Sequence, residues 1–175
     1  MRLIVTGANG AGKSHLAARL GALRPDIPVI SFDALKLKRN WAQRPRADIE
    51  TDLKQAIAGK AWILEGGPSL LPLALEHADA VIWLDPPERL RAWHLLARPW
   101  RNLGKTRPEL PEGNDDWPTE QYIFAFRSLR ARRKFKQGIS ERLGKVEVLT
   151  LWHCRTQIQI DAAVKAWFEA AAKQP

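Results

Sequence analysis

Apolar positions along the chain fall into short runs separated by longer helical repeats, and the alternation starts at the second residue. Arg2–Thr6 carries Leu3, Ile4 and Val5 and stops at Gly7, which reads as a buried first strand. From Lys13 to Leu23 the residues Leu16, Ala17, Leu20 and Leu23 recur on one helical face, and Pro25 and Pro28 punctuate the exit. Pro28–Asp33 (PVISFD) predicts a second strand. Asp48–Gly59 predicts an amphipathic helix carrying Ile49, Leu53, Ala56 and Ile57, with Gly59 as its stop. Ala61–Leu64 is the third strand, broken by Gly66–Gly67, and Ser69–His77 a short helix. Ala80–Leu84 (AVIWL) is the fourth strand, after which Pro86–Pro87 opens a helix running to about Arg98. Val146–Leu151 supplies a fifth strand and Thr156–Lys173 a closing amphipathic helix. Strands that alternate with helices imply βαβ units and a parallel sheet covered on both faces.

The rhythm breaks once. Pro99–Pro118 is rich in Pro, Gly and Asn and carries an acidic tip of Glu109, Glu112, Asp115 and Asp116. A long helix over Thr119–Leu143 follows, with Gly138 as its candidate interruption. An irregular insertion of about 20 residues inside a compact domain is usually functional, often a lid.

Between the first strand and the first helix lies Gly7-Ala8-Asn9-Gly10-Ala11-Gly12-Lys13-Ser14, a full G-x-x-x-x-G-K-[ST] phosphate loop. The glycines let the backbone fold tightly, so that successive N–H groups converge as an anion nest. The helix starting near Lys13 aims its positive end at the same phosphates, and His15 lies in its first turn. Lys13 places a cation on the β- and γ-phosphates, and Ser14 offers a hydroxyl to Mg²⁺. The loop grips phosphates and never reads the base, so ATP and GTP are both candidates. A second carboxylate is needed near the metal. Glu65 ends strand three and Asp85 ends strand four, and Glu65 is favoured because strand three lies beside strand one in this fold. Asp33, at the end of strand two, points to the ligand edge of the sheet or caps a helix over Ala34–Lys38.

Composition narrows the class. A chain of 175 residues, 45 % hydrophobic and 27 % charged, matches one compact domain over 1–175. No apolar run approaches the roughly 20 residues of a membrane span, and the N-terminus lacks the apolar stretch of a secretory signal. The lone cysteine, Cys154, excludes an intrachain disulfide and cysteine-rich zinc sites, so a cytoplasmic location is expected. The net charge is +9, and it is unevenly placed. Windows 36–47, 89–108 and 127–136 hold 5, 6 and 6 Lys/Arg, 17 of 28, and none of the 19 acids. Such segregation either collects polyanions or marks solvated helix faces.

Taken together, the segments GANGAGKS (7–14), SFDAL with Trp41, WILEGG (62–67), AVIWLDPP (80–87), the basic helix to Arg98 and RPELPEGNDDW (107–117) resemble the adenylate-kinase-like P-loop kinases. More narrowly, they resemble the bacterial topology-modulation-protein (FlaR-related) branch. The resemblance implies a three-layer α/β/α fold with a five-stranded parallel sheet in the order 2-3-1-4-5 and an Arg-rich lid insertion at about 99–118. It places an acceptor-side segment at about 34–60. It implies catalytic roles for Lys13, Asp33, Arg98 and Arg127, with Arg101 and Arg130 as further lid candidates or plain surface arginines. The nucleotide would lie on Gly7, Ala8, Asn9, Gly10, Ala11, Gly12, Lys13, Ser14 and His15, and Mg²⁺ on Ser14 and Glu65. Three positions depart from the pattern: Glu65 replaces an Asp, His94 an arginine, and Lys36 the acceptor-side arginine.

The leading expectation is Mg²⁺-dependent phosphoryl transfer from ATP or GTP to a small acceptor such as a nucleoside monophosphate. One alternative is an ATPase that contacts DNA nonspecifically through its basic surface and influences its topology. Another is a nucleotide-binding sensor without kinase activity. Trp62, Trp83 and Trp152 are expected in the core, and Trp41, Trp100 and Trp117 on a base or between lid and body.

Overall fold

The computed structural model describes residues 1–101, 111, 113–114, 117–144 and 150–172. Five parallel strands form one sheet: β1 (Arg2–Gly7), β2 (Val29–Ser31), β3 (Trp62–Gly66), β4 (Ala80–Leu84) and β5 (Thr150–Cys154). Their order is β2-β3-β1-β4-β5, as the resemblance implies. The helices are α1 (Lys13–Leu23), α2 (Phe32–Lys36), α3 (Arg46–Ala56), α4 (Leu71–Ala74), α5 (Glu88–Arg101), α6 (Pro118–Arg130), α7 (Arg132–Leu143) and α8 (Gln157–Ala172).

Strand alternation divides the core in two. Leu3, Val5, Ile63, Ile82 and Leu84 face α1 and α8, where Leu16, Leu20, Val164 and Trp167 close over them. Ile4, Trp62, Leu64, Val81 and Trp83 face the other way, against Phe32, Leu53, Leu70, Leu71, Ile139 and Leu143. Each Leu or Ile here is essentially without exposure, a contribution of about 1.5–3 kcal/mol apiece against a large chain-entropy cost. Burial on both faces explains why the central strands read as unbroken apolar runs. The register aligns Val5 with Glu65 on one side and with Ile82 on the other. The carboxyl ends of β3, β1 and β4 therefore open on one edge, where open α/β sheets hold their ligands.

Several sequence expectations are corrected. Strand two ends at Ser31, not Asp33. Ser31 is the N-cap of α2, its Oγ accepting from the Ala34 N–H at 3.4 Å, so Asp33 is neither strand end nor cap but sits in the first helical turn. The long helix breaks at Ala131, not Gly138. The buried positions are Gln121, Ala125 and Ser128 in α6 and Ile139 and Leu143 in α7. Strand five runs to Cys154, pairing Ala80–Leu84 with Thr150–Cys154, and the expected start at Val146 lies outside the described residues. Leu23 is 45 % exposed, and the short helix over 69–77 is two 3₁₀ turns around α4. Trp62 and Trp83 are buried and Trp152 is partly so, whereas the fully buried Trp167 escaped notice.

Candidate functional site

The phosphate loop joins β1 to α1 with Gly7, Gly10 and Gly12 at φ of 155°, 80° and 94°. A Cβ on Gly10 would meet Leu95 Cγ at 2.8 Å and the Arg91 carbonyl at 3.0 Å, so α5 packs directly on the loop. A Cβ on Gly12 would meet nothing within 4 Å, which leaves open space at the mouth of α1. The Ala11 N–H turns back to the Ala8 carbonyl at 3.1 Å. Among the described residues the N–H groups of Gly10, Gly12, Ser14 and His15 donate to no backbone carbonyl, as an anion nest at a helix start requires. Lys13 is buried, with Nζ donating to the Ala8 carbonyl at 3.2 Å, folded over the loop it is expected to serve. The His15 side chain is exposed.

Glu65 lies beside Ser14. The Ser14 hydroxyl donates to Glu65 Oε2 at 3.4 Å and the Ser31 hydroxyl to Oε1 at 2.8 Å, and the carboxylate is 4 % exposed. The first turn of α1 and the end of β2 thus both meet this carboxylate of β3. The other acid, Asp85, is already engaged: Lys136 Nζ is 2.7 Å from it, His153 Nε2 3.2 Å and Arg155 Nε 3.6 Å. His153 also stacks on Trp83 with centroids 4.0 Å apart. Among the described residues no three His, Cys, Asp or Glu side chains cluster as a metal cage. One hydroxyl and one carboxylate, both hard oxygen donors, fit Mg²⁺, which takes few protein ligands and completes its shell with phosphate and water. Ser31 was missed at this point because its sequence context reads as mid-strand.

On the acceptor side, Asp33 is partly exposed and faces Lys36 Nζ at 3.7 Å. The next turn holds Asn40 and Trp41 at φ of 59° and 57°, a left-handed pair without glycine. Asn114 fastens it: its Oδ1 accepts from the Trp41 N–H, and its Nδ2 donates to the Lys38 carbonyl at 3.0 Å and the Pro111 carbonyl at 2.9 Å. Asn114 is fully buried. Sequence reading passed over it, although an Asn beside Gly113 at φ 83° is an ordinary turn signal.

The expected lid arginines are dispersed. Arg98 donates to Gln121 and lies 5.4 Å over the Phe124 ring, so these partners are on α6. Arg127 is exposed, and Arg130 covers Phe126. Residues 102–110, 112, 115 and 116 of the expected lid, acidic tip included, lie outside the described residues, as does the Arg101 side chain. The basic windows are less free than they read. Arg44 pairs with Asp52, Arg46 with Glu50, Arg132 with Glu88 and Lys136 with Asp85. The contacts of α5 with the loop were not foreseen: Arg91 Nε donates to the Asn9 carbonyl at 2.8 Å and His94 Nδ1 meets the Gly10 carbonyl at 2.9 Å.

Comparison with solved structures gives shikimate kinase of Acinetobacter baumannii in complex with shikimate (TM-score 0.59, 15 % identity, 99 % of this chain and 94 % of that one). It also gives shikimate kinase of Bacteroides thetaiotaomicron (TM-score 0.54, 19 % identity, 98 % of each chain). The chain shares its fold with these two proteins. At these identities the likeness is one of fold, and it supports a P-loop architecture rather than the narrower topology-modulation branch. No protein-family model matches the chain. A curated relative, the cytochrome c biogenesis ATP-binding export protein CcmA of Idiomarina loihiensis, is 40 % identical over 62 residues, 35 % of this chain. The matched stretch spans only 28 % of that relative's length. Among the described residues no helix is long and apolar enough to cross a membrane.

Proposed function

We propose that this chain is a Mg²⁺-dependent phosphotransferase that takes ATP or GTP on Gly7–His15 and passes the γ-phosphoryl to a small polar acceptor. The observation that carries this reading is the buried Glu65 carboxylate beside the Ser14 hydroxyl, at the mouth of a glycine loop whose N–H groups stand open. Lys13 moves from the Ala8 carbonyl onto the β- and γ-phosphates, and Ser14 and Glu65 hold the metal. Magnesium, when bound, supplies charge neutralisation at the β- and γ-phosphate oxygens. Asp33 orients the acceptor within segment 34–60, and closure of the 99–118 lid brings Arg98 and Arg127 toward the transferring group. The kinase names of the structural neighbours and the ATP-binding name of the curated relative agree with this. Nucleoside monophosphates head the acceptor panel, and shikimate joins it because one neighbour was solved with it.

The DNA-binding reading loses ground because acids from outside the basic windows neutralise several of their cations. The narrower topology-modulation assignment rests on the sequence segments alone. The buried thiol of Cys154 accords with a cytoplasmic protein. The test is nucleotide consumption by purified protein with Mg²⁺ and ATP or GTP across nucleoside monophosphates, nucleosides, sugars and shikimate, with Lys13→Ala as the blank. Turnover that depends on Lys13 and on one acceptor supports the proposal. Tight ATP binding with no turnover on any acceptor overturns it and leaves a nucleotide sensor.

A further inference from the structure

Arg91 is 3 % exposed, a position where a small α/β protein ordinarily places an aliphatic side chain. Its guanidinium joins three elements. Nε donates to the Asn9 carbonyl in the phosphate loop at 2.8 Å. Nη1 donates to Glu88 at the start of α5 at 3.1 Å. Nη2 donates to the Ser128 carbonyl at 3.1 Å, in the last turn of α6, where the chain bends at Ala131. Burial lowers its pKa, and the nearby Glu88 carboxylate opposes that shift. A methionine or leucine would fill the same space without the desolvation cost of a cation. Packing therefore gives no reason for an arginine, and its three diverging bonds do: a planar fork serves acceptors in several directions, a lysine ammonium only as a point charge.

The bond to Asn9 has a geometric consequence. In a trans peptide the carbonyl of one residue and the N–H of the next point in opposite directions. Drawing the Asn9 carbonyl toward α5 turns the Gly10 N–H away from α5. His94 acts likewise on the next peptide, where its Nδ1 must be the proton donor because a carbonyl only accepts. The Ala11 N–H set by that second peptide donates to Ala8, so it is the Gly10 N–H that stays available to an anion.

We propose that Arg91 is a positioning residue of the phosphate site. It fixes the Gly10 N–H toward the phosphates and ties that orientation, through the Ser128 carbonyl, to α6, the helix that follows the lid segment. The inference rests on the nucleotide reading above. It adds that phosphate affinity is set in part by a buried side chain that touches no phosphate.

The experiment uses full-length Arg91→Met and Arg91→Lys with selectively ¹⁵N-glycine-labelled protein, and Mg²⁺·ADP and inorganic triphosphate as probes. The wild type is expected to bind both probes, with the Gly10 amide resonance moving on addition. Arg91→Met, folded by its melting curve and helical circular dichroism, is expected to bind both at least about 10-fold more weakly, without that movement. Arg91→Lys should fall between. A variant that merely loosens packing would lower the melting temperature and leave the phosphate-induced Gly10 shift intact, and that result overturns the proposal. Should Arg91→Met not fold, the wild-type Arg91 Nε–H resonance serves instead. It should move on adding inorganic triphosphate, and an unmoved signal under saturation overturns the proposal. If the wild type binds neither probe, or binds them equally well after Lys13→Ala, the nucleotide reading itself fails and this inference falls with it.

Discussion

Replacing Gly10 and Gly12 separately by alanine isolates what the loop glycines do. Both have left-handed backbone, φ 80° and 94°, where an L-residue with a Cβ costs roughly 1–2 kcal/mol. That term is common to the two variants and cancels between them. The surroundings differ. The new methyl at position 10 would stand 2.8 Å from Leu95 Cγ and 3.0 Å from the Arg91 carbonyl, and the second of these is backbone of α5 that cannot step aside alone. Overpacking of this kind adds about 1–3 kcal/mol. The methyl at position 12 would meet no atom within 4 Å. Gly10→Ala should therefore melt lower than Gly12→Ala by roughly 2–12 °C, at about 2–4 °C per kcal/mol for a chain of this size. Differential scanning calorimetry of nucleotide-free protein measures it. The order should reverse for function: the Gly12 methyl would stand in the open space before α1 where the phosphates are proposed to lie, so Gly12→Ala should lose Mg²⁺·ATP-dependent stabilisation while keeping most of its fold. Equal melting temperatures, or a more damaging Gly12→Ala, would refute the account of α5 as the wall behind Gly10.

Three further outcomes are expected. Glu65→Gln keeps an acceptor oxygen for Ser31 but lacks the charge facing Ser14, so Mg²⁺-dependent turnover should drop by about 10²-fold or more with melting changed little, as paired kinetics and calorimetry would show. Asn114→Ala strips partners from the Trp41 N–H and the Lys38 and Pro111 carbonyls, and should cost about 1–3 kcal/mol in urea denaturation; an unaffected midpoint would show that the 38–41 turn holds itself. For Asp79, burial opposes the charge, but bonds from the Arg2 side chain and N–H outweigh it and hold the carboxyl below its ordinary 3.8. A depressed folded pKa means stability present above the unfolded value and lost as pH falls through the folded one. Wild type should therefore lose this contribution below about pH 4, and Asp79→Asn should flatten that part of the stability profile.

How far the site was legible follows from where its information resides. The phosphate loop, the buried strands and the sheet order are local patterns: a glycine spacing, apolar runs, and helices between them. The placement of Glu65 beside the loop was legible too, because the parallel register that puts Val5 beside Glu65 follows from strand three lying next to strand one. Ser31 was not, since whether a serine continues a strand or caps a helix depends on Phe32 turning into the core against Gly66, where a Cβ would stand 2.8 Å from Phe32 Cβ. Asn114 and Arg91 were hidden for another reason. Besides Glu88 and Pro111 close by, their partners are backbone carbonyls and an N–H far along the chain, 82 residues away for Arg91 and Asn9, and the local residue pattern does not record such distant backbone partners.

The basic windows show the same limit from the side of charge. As sequence they are acid-free stretches, and the polyanion reading followed from treating the chain as a line. Folding sets α7 against the end of β4 and α3 beside the turn that precedes it, so Lys136 meets Asp85 and Arg44 meets Asp52 at 2.6 Å. An excess of +9 still remains for the molecule, and it weights the surface toward anions. Charge segregation along a sequence therefore limits what a surface can attract but does not locate a binding face. In the reading proposed above, the phosphate site is defined instead by peptide groups: the open N–H groups of the loop, with Arg91 of α5 holding the opposite end of the peptide that carries the Gly10 N–H.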